Sequence, residues 1–254
     1  MTPGNLVCDL DGVVYLGQEA IPGSAAALGR LQEAGWHIIM CTNNSSRTPS
    51  QVADRIAHIT GFEVPVERVL TSAQAAALML SETRPSTFVL GGEGITMALL
   101  EAGVPVVESA SEAEAVVVGL AVDLTYSWLR EAVTAVRGGA RLIATNLDAT
   151  YPTEDGLWPG GGAIVAAVET ASGAEAEAAG KPFQPMLDLI TRCLQPGPVW
   201  GVGDRQDTDL ALAVKGGWQT ALVLTGVTSS AEGVIPPPDL VAVDLARVAD
   251  HLLR

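Results

Sequence analysis

The run Leu6-Val7-Cys8-Asp9-Leu10-Asp11-Gly12-Val13-Val14-Tyr15 constrains this chain more than any other stretch. Leu6 to Cys8 has no polar partner face, so it reads as a buried central strand of a parallel sheet. Two carboxylates one residue apart then interrupt the apolar run. Burying both inside a sheet is costly unless a cation or other partners compensate. The strand's carboxyl end avoids most of that cost, and it is where open α/β sheets bind ligands. Gly12 then lets the backbone turn away. A strand that simply ends in a solvated Asp-x-Asp-Gly turn accounts for the same residues, so partners further along must decide.

The chain beyond Tyr15 alternates strands and helices with glycine stops, the pattern of a parallel sheet covered on both faces. Tyr15 to Pro22 reads as a connector, and Ser24 can cap a helix that stops at Gly35. Trp36 to Cys41 is a second buried strand, ending in Thr42-Asn43-Asn44-Ser45-Ser46-Arg47. Hydroxyls, amides and free backbone N–H groups there suit an anion, although Thr48-Pro49 also makes the loop a plausible helix start and nothing more. Val69-Leu70 is a third strand, and Ser72 can cap the helix after it. A polar break at Ser81 to Ser86 marks a domain boundary.

A second α/β set follows, with strands at Phe88–Leu90, Val116–Leu120 and Arg141–Thr145. Gly91-Gly92-Glu93-Gly94 does not match the dinucleotide fingerprint G-x-G-x-x-G and reads as a strand-to-helix turn. The loop Asn146-Leu147-Asp148-Ala149-Thr150-Tyr151-Pro152 is either a recognition loop or ordinary surface. A connector over Ser172 to Ala178 marks the second boundary. Lys181 then sits on the Gly180-Lys181-Pro182 corner, where the chain re-enters the first domain. Strand Val199–Val202 leads into Gly203-Asp204-Arg205-Gln206-Asp207-Thr208-Asp209, repeating the acid-after-strand arrangement of the chain's start.

Composition excludes several classes. A net charge of -15 argues against a nucleic-acid partner, which needs Lys and Arg at its phosphates. The apolar runs are strand-sized, so no transmembrane helix and no membrane partner is expected. Asp9 and Asp11 fall where a signal peptide would need its apolar region. Cys8, Cys41 and Cys193 form no CxxC pair and leave an odd count, which fits reduced thiols in a cytoplasmic protein.

Four sheet ends thus offer, in order, Asp-x-Asp, Thr-Asn-Asn, Lys and Gly-Asp-x-x-x-x-Asp. Hard oxygen ligands suit Mg²⁺, which takes a few carboxylates together with water and a substrate phosphate. Lysine and small hydroxyl or amide donors suit the other phosphate oxygens. A carboxylate beside this set can attack phosphorus, and a second can protonate the leaving oxygen and later deprotonate water.

These motifs resemble those of the haloacid dehalogenase superfamily. Cys8-Asp9-Leu10-Asp11-Gly12-Val13 is similar to its first motif and Thr42-Asn43-Asn44 to its second. Lys181-Pro182 is similar to the third, and Gly203-Asp204 to Asp209 to the fourth. The resemblance implies a Rossmann-like α/β parallel-sheet core over 1–82 and 180–254, with an inserted α/β cap over 83–179. It also implies Asp9 as nucleophile and Asp11 as general acid/base. Mg²⁺ would be held by Asp9, the Asp11 carbonyl and Asp204, with Asp209 in support. Thr42, Asn43, Asn44 and Lys181 would bind the phosphoryl group, Lys181 also steadying the nucleophile. Dehalogenases lack a carboxylate at the Asp11 position and ion-pumping ATPases carry threonine there, so Asp11 favours a phosphatase.

The cap's size and position resemble the NagD-like, para-nitrophenylphosphatase branch, as do Ala144-Thr145-Asn146-Leu147-Asp148 and Tyr151-Pro152-Thr153-Glu154-Asp155-Gly156. The implied activity is Mg²⁺-dependent hydrolysis of a small phosphorylated metabolite through an aspartyl-phosphate, with Asn146 and Asp148 among the substrate-binding residues. A phosphotransferase using the same intermediate, or a non-catalytic binding protein on the same fold, would carry much of the same pattern. Relatives with such a cap often pair through it, and the apolar cap segments would permit a homodimer here.

Overall fold

The computed structural model describes residues 2–153 and 156–254. Glu154 and Asp155, in the 151–156 stretch that carries part of the resemblance, lie outside the described residues. The chain divides into two compact units. One comprises Met1–Thr42, Ser50–Leu70 and Ile190–Arg254, and the other Asn43–Pro49 and Thr71–Leu189. Parallel sheets with helices between their strands make this an α/β protein, as the alternation in the sequence predicts.

The first unit is built on a six-stranded sheet in the order Leu240–Ala242, Gln219–Val223, Val199–Gly203, Asn5–Cys8, His37–Thr42 and Val69–Thr71. Asn5–Cys8 is buried along its whole length and runs parallel to both neighbours, with Cys8 beside Val202 and Met40. From this strand the chain first builds outward on one side and later returns to build on the other. The order therefore reverses between Asn5–Cys8 and Val199–Gly203, creating the crevice where α/β sheets take ligands. Asp9 and Asp204 are the residues that follow these two strands.

Helices Ser24–Glu33 and Leu245–Leu252 pack together in the core, burying Leu28, Leu31, Val248 and Leu252. Neither helix reaches the ~12–15 residues that an isolated helix needs. Each buried leucine contributes about 1.5–3 kcal/mol, so packing rather than propensity holds them. The expected Ser24 cap does not form. Gly23 takes the cap position with φ 81°, and the Ser24 hydroxyl donates to the Val14 carbonyl at 2.8 Å. Ser24 is buried, and a buried hydroxyl must find a partner; the nearby carbonyl wins over the cap.

The second unit carries a four-stranded parallel sheet in the order Glu177–Ala178, Arg141–Ala144, Ala115–Val118 and Thr87–Leu90. Helices Tyr126–Arg137 and Gly161–Ser172 pack on each other, as do Ser72–Leu80 and Glu93–Glu101. Thr71, not Ser72, caps the Ser72–Leu80 helix, in a reciprocal capping box with Gln74. The Gly91–Gly94 run has a packing explanation. A Cβ on Gly94 would lie 2.3 Å from the Arg47 carbonyl oxygen, and the Gly94 N–H donates to Ser46 O at 3.2 Å. The glycine lets two backbones meet.

Among the described residues, six short strands have no counterpart in the alternation that the sequence displays. Tyr15–Leu16 pairs with Glu19–Ala20, Thr150–Thr153 pairs with Gly156–Pro159, and Glu177–Ala178 and Leu240–Ala242 are sheet-edge strands. The two- and three-residue strands are too short for a pattern to register, and Thr150–Thr153 and Gly156–Pro159 each contain a proline, which argues against a strand.

Candidate active site

In the first unit, Asp9, Asp204 and Asp209 each offer a carboxylate oxygen, and these oxygens all lie within 4.8 Å of one another. Asp9 arrives from the central strand, its N–H donating to Val202 O at 2.9 Å. Asp204 extends the neighbouring strand. Asp209 is returned to the same place by the wide helical turn Gln206–Leu210, and its carboxylate accepts from the Arg205 N–H at 3.1 Å. Asp204 and Asp209 are buried, whereas Asp207, the third acid of that motif, faces solvent in a pair with Arg205 at 2.8 Å. Burial would raise the Asp207 carboxyl, but the Arg205 guanidinium outweighs it and holds the group below its ordinary value.

Three carboxylates this close repel one another when ionised, and burial adds to the penalty. A hard divalent cation relieves both costs and prefers an all-oxygen set of this kind. The donor set therefore fits a Mg²⁺-type ion.

Asp11 lies two residues beyond Asp9 and forms a β-bridge with Tyr15. The Gly12 N–H donates to Tyr15 O at 2.8 Å, closing the turn into the Tyr15–Ala20 hairpin. Tyr15 and Arg55 secure this hairpin. The Arg55 guanidinium lies 5.2 Å from the centre of the Tyr15 ring, donates to Gln18 Oε1 at 3.2 Å and also donates to the Gly17 carbonyl. Burial, and Asp11 next, push the Tyr15 phenol above its usual range, with Arg55 pulling the other way. Nothing in the spacing of Tyr15 and Arg55 announces this contact, since it joins a hairpin to a helix forty residues on in the chain.

In the second unit, the sequence-predicted residues Asn43, Asn146, Asp148 and Lys181 are brought together. The Asn43 side chain donates to Lys181 O at 3.2 Å and to Asp148 Oδ2 at 3.1 Å, and accepts from Lys181 N at 2.8 Å. Asn146 donates to Asn43 O at 2.8 Å and accepts from Asp148 N at 3.1 Å. Ser72 donates to the same Asn43 carbonyl at 2.6 Å, and the Ser45 and Thr145 hydroxyls lie 2.9 Å apart. Asn44 turns inward on its own loop, accepting from the N–H and hydroxyl of Ser46 at 2.9 and 2.7 Å. Thr42 is buried at the end of its strand in the first unit. The sequence reads Ser72 as a helix cap, Ser45 as part of an anion-suited loop and Thr145 as a strand end, and their meeting here is a product of folding.

Comparison with known proteins gives this geometry a family. A haloacid dehalogenase-like hydrolase model matches residues 6–105, and a second HAD hydrolase-like model matches residues 178–248. An acid sugar phosphatase of Staphylococcus aureus is 38% identical over 226 residues, 87% of this chain and 86% of that protein. The crystal structure of a glycerol phosphate phosphatase from Mycobacterium tuberculosis in complex with magnesium is 34% identical, with a TM-score of 0.89 over 98% of this chain and 76% of that one. A p-nitrophenyl phosphatase from Archaeoglobus fulgidus is 31% identical, with a TM-score of 0.89 over 99% of this chain and 100% of that one. Because the matched segments include the residues that gather the carboxylates, and the similarity runs over most of both chains, this protein belongs to the haloacid dehalogenase-like hydrolases.

Proposed function

We propose that this protein is a Mg²⁺-dependent phosphomonoesterase that hydrolyses a small phosphorylated metabolite through an aspartyl-phosphate. The observation that carries the reading is the convergence of Asp9, Asp204 and Asp209 at the switch point of the sheet. Relatives named for acid sugar, glycerol phosphate and p-nitrophenyl phosphatase activity support it.

Asp9, the Asp11 carbonyl and Asp204 would hold Mg²⁺, with Asp209 in support. Bound there, the ion neutralises charge on the phosphoryl oxygens. The Asp9 carboxylate attacks phosphorus and the ester P–O bond breaks, while Asp11 delivers its proton to the leaving oxygen. Asp11 then takes a proton from water as that water attacks the aspartyl-phosphate, releasing inorganic phosphate and restoring Asp9. Thr42, Asn44 and Lys181 would offer donors to the phosphoryl group, and Asn43 its main-chain N–H, since its side-chain donors serve Asp148 and Lys181 O. Uncatalysed monoester hydrolysis is slow enough to need accelerations approaching ~10²¹-fold, which gives a metal, a nucleophile and an acid/base clear purposes.

The proposed division is a catalytic core over 1–82 and 180–254 and a substrate-selecting cap over 83–179, with pairing of two copies through the cap. No helix among the described residues is long and apolar enough to cross a membrane, and the reduced cysteines suit a cytoplasmic location. The acidic surface charge favours no nucleic-acid partner.

The test is phosphate release from para-nitrophenyl phosphate and a panel of metabolite phosphates, with and without Mg²⁺, beside an Asp9→Asn variant. Metal-dependent release that disappears in the variant is expected. Release that ignores the metal and survives Asp9→Asn would overturn the assignment. Transfer to an added alcohol in preference to water would make the enzyme a phosphotransferase.

A further inference from the structure

We propose that Asn43 and Asp148 are positioning residues: the Asn43 side-chain amide grips both main-chain polar groups of Lys181, and the Asp148 carboxylate sets the orientation of that amide. The inference rests on the phosphatase reading for its catalytic consequence. It also moves Asp148 away from the substrate-binding role that the sequence suggests.

An asparagine amide has two N–H donors and one carbonyl oxygen. In Asn43 one donor serves Lys181 O at 3.2 Å and the other serves Asp148, at 3.1 Å to Oδ2 and 3.4 Å to Oδ1. Its oxygen accepts the Lys181 N–H at 2.8 Å. The amide cannot be turned over, because the Lys181 N–H can only donate and an ionised carboxylate can only accept. Both donors of Asn43 are thus committed within the chain. A substrate oxygen could claim one only by breaking a buried bond, and an unsatisfied buried partner costs about 1–3 kcal/mol.

The surroundings are built for the same grip. The Asn43 carbonyl is held from two sides, by Asn146 Nδ2 at 2.8 Å and Ser72 Oγ at 2.6 Å. A Cβ on Gly180 would lie 2.5 Å from Asn43 Oδ1 and 2.5 Å from Thr145 O, so only glycine allows this approach just before Lys181. Asn43, Asn146 and Lys181 are all at most 8% exposed. Lys181 is therefore fixed at its backbone as a strand residue would be, by a side chain that mimics a pairing strand. Its ammonium starts from a defined root, and a displacement of about 1 Å at a reacting group can cost up to about 100-fold in rate.

The experiment compares wild type with Asp148→Ala, Asp148→Asn and Asn43→Asp on para-nitrophenyl phosphate, glycerol phosphate, a hexose phosphate and phosphoglycolate. A positioning role predicts that Asp148→Ala lowers kcat by a common factor, roughly 10- to 100-fold, for every ester with KM little changed. Asp148→Asn keeps an acceptor oxygen and should restore most of the rate. Asn43→Asp replaces the donors with acceptors facing Asp148 and Lys181 O, so it should lose more. Since that variant can fail to fold, the Asp148 pair decides the question. Loss confined to some esters, a change in KM alone, or no change would overturn the inference.

Amide hydrogen exchange over residues 179–183 gives a readout independent of turnover. Exchange at Lys181 should quicken in Asp148→Ala, and unchanged exchange would also overturn the inference. If wild type released phosphate from no ester, the phosphatase reading would fail while the exchange measurement still decided whether the grip exists.

Discussion

Gly12 and Asp204 share a space that admits no side chain on the glycine. A Cβ there would lie 2.7 Å from Asp204 Oδ2, and the glycine's φ of 85° is one that L-residues rarely adopt. Gly12→Ala should therefore destabilise the protein by more than about 1 kcal/mol and push Asp204 away from Asp9. Urea unfolding and a Mg²⁺ titration of the same variant check the two effects. A variant with normal stability and normal metal response would contradict this account.

Mg²⁺ should stabilise the fold, because only the folded chain gathers Asp9, Asp204 and Asp209 within 4.8 Å. A ligand at about 100 times its Kd adds roughly 2.7 kcal/mol. Tm should rise on adding Mg²⁺ and fall again with EDTA. Asp204→Asn removes one of the repelling charges, so its Tm in EDTA should equal or exceed that of wild type. Its response to Mg²⁺ should be largely lost.

Arg55 should matter to turnover although it is neither ligand nor acid/base. Its guanidinium joins the Tyr15 ring, Gln18 and Gly17, and Tyr15 O in turn holds the Gly12 N–H. Arg55→Met should cost about 1–2 kcal/mol from the lost cation–π contact and hydrogen bonds. Amide exchange over 15–20 should quicken, and kcat should fall. Lysine lacks the planar fork, so Arg55→Lys should not restore either quantity. Unaltered exchange in both variants would refute the clamp.

His37 should make the fold sensitive to mild acid. Its Nε2 lies 3.1 Å from the Cys193 carbonyl oxygen, which can only accept, so Nε2 carries the proton. Burial first, and Arg68 next, hold the ring below its ordinary 6.5, with the Cys193 carbonyl opposing them. A histidine depressed in the folded state is protonated first in the unfolded chain. Its stability contribution is complete above the unfolded value of 6.5 and is lost as pH falls from there through the lower folded value. Urea midpoints at about pH 8 and about pH 5 should differ more for wild type than for His37→Gln. Equal differences would remove His37 as the cause.

The main strands, most helices and the strand ends before Asp9, Thr42 and Asp204 were legible because each is a local pattern: an apolar run, a glycine stop, polar residues after a strand. The short strand before Lys181 read as a connector. The caps were less legible. Ser24 and Ser72 are good capping residues by composition, yet burial sent their hydroxyls to Val14 O and Asn43 O instead. The Tyr15–Ala20 hairpin escaped because its two-residue strands are too short to display a period, and the Thr150–Pro159 hairpin because each of its strands contains a proline and neither is an unbroken apolar run.

By itself, then, the sequence determined that this chain is an α/β protein with oxygen-rich groups at its strand ends, since those signals are carried by neighbours in the chain. Only the tertiary structure decided which of these groups meet. It selected Asp9, Asp204 and Asp209 and turned Asp207 out to Arg205, and it directed the Asn43 amide onto the Lys181 backbone. Hydrogen-bond partners more than a hundred residues apart are chosen by the need to satisfy every buried polar group at once, a condition that exists only after the chain has folded.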